Sequence, residues 1–146
     1  MLLDFSSLSD CAAEISALGD PAFHGETSLF IEDIINKKNQ YKVFAVLRGE
    51  KVAGFLILST VLDEAEILEV AVSEDLRRRG IASELMDEVS GWCAKNGILH
   101  IFLEVRESNF PALAYYKKYG FIENGLRKNY YRNPVENAVL MSKELS

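Results

Sequence analysis

The chain has 146 residues, 49% of them hydrophobic, and a formal net charge of −6. That length suits one domain, residues 1–146, which can bury roughly two-thirds of its surface without disulfides or a metal. The acidic balance weighs against a nucleic-acid binder, and no apolar run approaches the roughly 20 residues that cross a bilayer.

Taken in chain order, Leu8 to Leu18 carries apolar residues at helical intervals and stops at Gly19-Asp20-Pro21. Thr27 is a candidate cap for a second helix with Phe30, Ile31, Ile34 and Ile35 on its apolar face. Tyr41–Leu47 and Val52–Thr60 read as a hairpin around Gly49-Glu50, and Glu66–Val72 follows the turn at Asp63-Glu64. Ile81, Leu85, Val89 and Trp92 recur at i, i+4, i+8 and i+11, which predicts a helix from Gly80 to Lys95, closed by Asn96-Gly97. Leu99–Val105 is a short apolar run that suits a central strand. Ser108-Asn109 caps a helix with Pro111 in its first turn, which ends at Gly120. Phe121–Leu126 and Val135–Met141 read as closing strands. The order predicts an α/β (α+β) fold with a mixed sheet.

Cys11 and Cys93 lie in apolar helical patterns and read as buried free thiols, in keeping with a reducing cytoplasm. With His24 and His100 as the sole histidines, no metal site is expected. The N-terminus lacks the basic start and apolar core of a signal peptide, so the expected location is the cytoplasm, with no membrane partner.

Two constellations point to chemistry. Arg77-Arg78-Arg79-Gly80-Ile81-Ala82 sits where a strand hands over to a helix. A helix start leaves backbone N–H groups without acceptors in a positive local field, and Gly80 lets phosphates approach. The spacing fits neither a GxxxxGK[ST] loop nor a GxGxxG fingerprint. The arginines themselves read as a solvated face. In the second constellation, Glu104 interrupts an apolar strand near its C-terminal end, where ligands sit in open sheets. A carboxylate among apolar groups gains basicity, which suits a general base. Equally, Glu104 could pair with Arg106 or another cation. Tyr115, Tyr116 and Tyr119 could form one packing face, and composition does not select Tyr116 over Tyr115 as a proton donor.

With these residues the chain resembles the GCN5-related N-acetyltransferases (GNAT), and within them the RimI-type ribosomal protein S18 alanine N-acetyltransferases. Arg77–Ala82 fits the family's [Q/R]-x-x-G-x-[G/A] loop. Leu103-Glu104-Val105-Arg106 with Ser108-Asn109 and Tyr116 through Gly120-Phe121 is a second match. Arg127-Lys128-Asn129-Tyr130-Tyr131 is a third, and Leu62-Asp63-Glu64-Ala65 a weaker fourth. The resemblance runs from about Val43 to the C-terminus.

It implies a mostly antiparallel central sheet with helices on both faces, and acetyl-CoA as co-substrate without a metal. By resemblance, the backbone of Val70, Ala71 and Val72 holds the pantetheine arm. Arg78, Arg79, Gly80, Ile81, Ala82 and Ser83 hold the pyrophosphate, and Asn109 touches the pantetheine. Glu104 falls on the proton-acceptor position and Tyr116 on the proton-donor position. The implied acceptor is a protein N-terminal α-amine, with the alanine of S18 foremost. A lysine, a small-molecule amine and a non-catalytic acyl-CoA-binding module are the competing readings. His24-Gly25-Glu26 and Arg132-Asn133-Pro134 depart from the family pattern in segments that shape the acceptor pocket.

Overall fold

The computed structural model describes residues 1–20, 26–36 and 40–145. Helix α1 (Phe5–Gly19) starts three residues before the predicted periodicity, because the Asp4 side chain accepts from the Ser7 N–H and caps it. Helix α2 (Glu26–Asn36) already contains Thr27, the residue expected to cap it. Thr27 is fully buried instead, and its hydroxyl donates to Glu69 Oε1 at 2.7 Å. A buried carboxylate needs such donors, which outweighs the capping preference of threonine. Pro21, His24, Gly25 and the side chain of Phe30 lie outside the described residues.

Strands β1 (Tyr41–Arg48), β2 (Lys51–Val61) and β3 (Glu64–Val72) form the predicted antiparallel meander. Gly49, at φ +65°, makes the first turn in a conformation that favours glycine. Helix α3 (Ile81–Lys95) crosses over to β4 (His100–Arg106), which runs parallel to β3. Helix α4 (Phe110–Lys118), capped by Asn109 as expected, leads to β5 (Ile122–Tyr131) and β6 (Glu136–Glu144). The strand order is β1-β2-β3-β4-β6-β5, antiparallel at every junction except β3–β4. This is the mixed sheet that the element order predicts, mostly antiparallel as the resemblance implies.

Alternation along the strands sorts the core into two layers. Phe44 and Val46 pack with Leu85 and Val89 of α3 and Leu113 of α4. Val43 and Ala45 pack on the other face with Ile15 of α1 and Ile34 of α2. Helices therefore cover both faces, but α1 and α2 meet β1, β2 and part of β3 only. Over β4, β6 and β5 that face carries no helix among the described residues, and Phe102 and Ile122 are exposed.

Two bulges interrupt the meander. Val46 pairs Gly54 while Leu47 pairs Val52, so Ala53 is an extra residue. Ile57 pairs Glu69 while Leu58 pairs Ile67, so Leu68 is another. Each extra residue reverses which face the following side chains point to and bends the strand. Strand β5 runs five residues beyond the predicted Leu126, through the second of its two irregularities against β6.

Both cysteines are free; Cys93 is buried as expected, whereas Cys11 is half-exposed at the α1 surface. Burial pushes the Cys93 thiol up to about 11. Among the described residues no helix is long and apolar enough to cross a membrane, and no cluster of ligating side chains could hold a metal.

Candidate active site

The loop between β3 and α3 has the form of an anion cradle. Arg78 at φ +65° and Gly80 at φ +77° are both left-handed, and Gly80 immediately precedes α3. Alternation of this kind turns successive N–H groups to one concave side. The first helical bond is Glu84 N–H to Gly80 O at 3.0 Å. The N–H groups of Ile81, Ala82 and Ser83 therefore have no acceptor in their own helix. A Cβ on Gly80 would meet nothing within 4 Å, so the cradle is open. The Arg77, Arg78 and Arg79 side chains are exposed, as expected of a solvated face.

Beside the cradle, the sheet parts. Strands β3 and β4 pair from Glu64↔His100 to Ile67↔Leu103 and no further. Beyond that, β3 stays with β2 as far as Val72, and β4 stays with β6 as far as Arg106. The separation begins next to the Leu68 bulge, which bends β3 away. Val70, Ala71 and Val72 thus lie on a strand edge with backbone groups that no neighbouring strand uses.

Glu104 lies on β4 just past the last paired residue. Its side chain is 19% exposed and lines a cleft of about 400 Å³ with Glu66, Phe102, Asn124, Arg127 and Leu140. Its Oε1 is 3.3 Å from Arg127 Nη1. The cation pairing weighed from the sequence is therefore present, through Arg127 and not Arg106. Arg127 is 57% exposed, and a pair that open to water is held by about 1 kcal/mol or less. An incoming ammonium can replace it. Burial first, then the Glu104 charge, raise the Glu66 carboxyl above its ordinary range, while Arg127 opposes this. A hydrogen bond to Glu104, then burial, raise the Tyr130 phenol.

Adjacent phenols on α4 are used differently. The Tyr115 hydroxyl donates to Ala82 O at 2.6 Å and so fastens α4 to the cradle. Tyr116 is buried, with its ring 5.6 Å from that of Phe121, and its hydroxyl has no hydrogen-bond partner among the described residues. Burial, followed by the Tyr131 charge, raises the Tyr116 phenol, so it stays protonated. The Asn109 carbonyl caps α4 by accepting from Ala112 N–H at 3.2 Å, which leaves its NH₂ as a donor.

Tyr131 is the group the sequence reading left without a role. Burial, then Glu104, raise it to about 12, and it in turn raises Tyr116. It therefore lies within electrostatic reach of both predicted catalytic groups, which stand on different elements. Asn129, at φ +53°, accommodates the irregularity that turns Tyr130 and Tyr131, and its N–H is held by Asn137 Oδ1 at 2.9 Å. The Asn-Tyr-Tyr run was visible in the sequence; its place in a strand was not.

The acetyltransferase (GNAT) family model matches residues 11–121. A ribosomal protein bS18-alanine N-acetyltransferase of Escherichia coli is 35% identical over 113 residues, 76% of each chain. The crystal structure of the ribosomal-protein-S18-alanine N-acetyltransferase from Escherichia coli gives a TM-score of 0.78 at 28% identity, covering 100% of this chain and 94% of that one. A GNAT family acetyltransferase from Elizabethkingia anophelis with acetyl-CoA bound shares the fold, with a TM-score of 0.69 at 22% identity over 78% of this chain and 82% of that one. With an open cradle at the start of α3 beside a parted β3–β4 pair, this chain belongs to the GNAT family and is an N-acetyltransferase.

Proposed function

We propose that this chain, acting as one domain in the cytoplasm, transfers acetyl from acetyl-CoA to a protein N-terminal α-amine, foremost the N-terminal alanine of ribosomal protein S18. The observation that carries the reading is Glu104, which lines a cleft just past the last β3–β4 pair, with Tyr131 in electrostatic reach of both it and the protonated Tyr116. The similarity to S18 alanine N-acetyltransferases supports the choice of acceptor.

In this reading the N–H groups of Arg78 to Ser83 hold the pyrophosphate, with Gly80 giving it room. The free β3 edge from Val70 to Val72 and the Asn109 NH₂ hold the pantetheine. Glu104 takes the acceptor's ammonium proton, directly or through water. An α-amine has a pKa of about 7.7–8.0, against about 10.4 for lysine, so the base has roughly 3.5 kcal/mol less to supply. The amine nitrogen bonds to the thioester carbon, and the Val72 N–H faces the oxygen that becomes negative. The C–S bond then breaks, Tyr116 gives its proton to the departing sulfur, and the second proton of the new amide nitrogen leaves through water and restores the phenol. Holding both substrates in line supplies much of the rate.

The test is acetyl-CoA turnover against an S18-like peptide beginning with alanine, peptides with other first residues, an N-blocked peptide containing lysine, and small polyamines. Free N-termini are expected to be acetylated and the blocked peptide spared. Activity on the blocked peptide or the polyamines alone would overturn the reading. Binding of acetyl-CoA with no turnover on any amine would favour a non-catalytic module.

A further inference from the structure

Arg106 closes β4 two residues after Glu104, on the same face of the strand. It does not pair with Glu104. Its Nη1 donates to Pro134 O at 3.0 Å and to Glu136 Oε1 at 3.3 Å, and its Nη2 donates to Arg132 O at 3.1 Å. The guanidinium stands 4.5 Å from the centre of the Tyr131 ring. The Glu136 carboxylate, through its other oxygen, accepts from the Ser108 N–H at 2.9 Å, just ahead of the Asn109 cap of α4. Arg106 is 23% exposed and Glu136 17%, so the two charged side chains are partly shielded, while the carbonyls they hold lie at the surface.

These contacts join three segments: the end of β4 that carries Glu104, the turn between β5 and β6, and the start of the helix that carries Tyr116. A guanidinium suits the junction because its planar fork can meet two carbonyls and a carboxylate while one face stacks on a ring. A lysine ammonium at the same place would be a point charge with no plane to stack.

We propose that Arg106 is a positioning residue that clamps the β5–β6 turn and Tyr131 in place on the Glu104 side of the site, where the acceptor would bind. The proposal rests on the transferase reading above. It gives a role to the arginine of the Glu-Val-Arg run, which none of the mechanistic steps uses. The clamp touches the β5–β6 turn and the start of α4 and makes no contact with the Arg77–Ser83 cradle, so it reaches acetyl-CoA only through the neighbouring Asn109 and its loss should weigh far more on the acceptor.

The experiment compares the wild type with Arg106→Lys and Arg106→Met. It reads melting temperature, acetyl-CoA affinity by calorimetry, KM for acceptor peptide and for acetyl-CoA, and the rate of trypsin cleavage after Arg132. Arg106→Lys is expected to stay folded, to bind acetyl-CoA within about twofold of wild type, to raise acceptor KM by about tenfold, and to be cleaved after Arg132 severalfold faster. Equal losses for both substrates together with a lowered melting temperature would reduce Arg106 to a structural role and overturn the proposal. Unchanged cleavage at the turn, or full function with lysine in place, would also overturn it. Should the wild type acetylate no α-amine, the transferase reading fails separately; unchanged trypsin cleavage would then still refute the clamp, and faster cleavage would support it.

Discussion

Tyr115 and Tyr116 are neighbours in sequence, yet one hydroxyl is bound and the other is not. Losing the Tyr115 hydroxyl removes its bond to Ala82 O, so Tyr115→Phe should lower stability by about 1 kcal/mol with little change in turnover. Tyr116→Phe should leave melting nearly unchanged and slow turnover by about a hundredfold, the lower range for a positioned acid or base. Glu104→Gln should do the same without weakening acetyl-CoA binding. Calorimetric melting and steady-state kinetics on the three variants decide the assignment. A slow Tyr115→Phe beside a normal Tyr116→Phe would reverse it. The choice between these phenols could not be made from composition, because their burial patterns look alike in one dimension. What separates them is a partner 33 residues away. Thr27 failed as a cap for a similar reason: its partner, Glu69, is 42 residues distant.

At the scale of elements, α3 and its cradle were legible because periodicity, glycine and the following strand agree. Gly80 sits at φ +77° with nothing near its missing Cβ. Gly80→Ala should therefore cost about 1–2 kcal/mol from the backbone alone, and it should raise KM for acetyl-CoA more than for the acceptor. Denaturant melts and kinetics check both effects; equal changes in the two KM values would count against the cradle. The far end of β5 was hidden. Its residues are exposed up to Tyr130, so no alternation marks a strand, and the left-handed Asn129 interrupts what pattern there is. The Leu68 bulge was hidden too, since no glycine or proline in the Glu66–Val72 run marks it. Bulges are set by the partner strand, and a single chain segment does not display its partner.

For the molecule as a whole, the mixed sheet followed from the order of the elements, and the helices on both of its faces from the family resemblance. The uncovered half of the second face did not, because exposure there depends on where α1 and α2 stop. Tyr116 is buried, and Tyr115 and Tyr131 are half-buried. Burial is the first cause that raises Tyr115, Tyr116 and Tyr131, the last to about 12. Their folded pKa values lie above the unfolded value of about 10. The stability they contribute is complete below about pH 10 and is lost as the pH climbs through about 12. An ultraviolet titration of phenolate should show these three ionising late, together with loss of the fold. Ionisation of all six tyrosines near pH 10 in a protein that stays folded would contradict their burial.

The parted β3–β4 pair has a further consequence for how access is controlled. Only four residue pairs, Glu64↔His100 to Ile67↔Leu103, hold that seam. The gap past them comes from a bulge and from divergent pairing, so it is permanent architecture, present before any substrate arrives. An enzyme that admits its substrate through a hinged lid must wait for the lid to swing. On the proposed reading the entrance is an unfinished seam between two firmly paired strand sets, whose gap stands open without a hinge among the described residues.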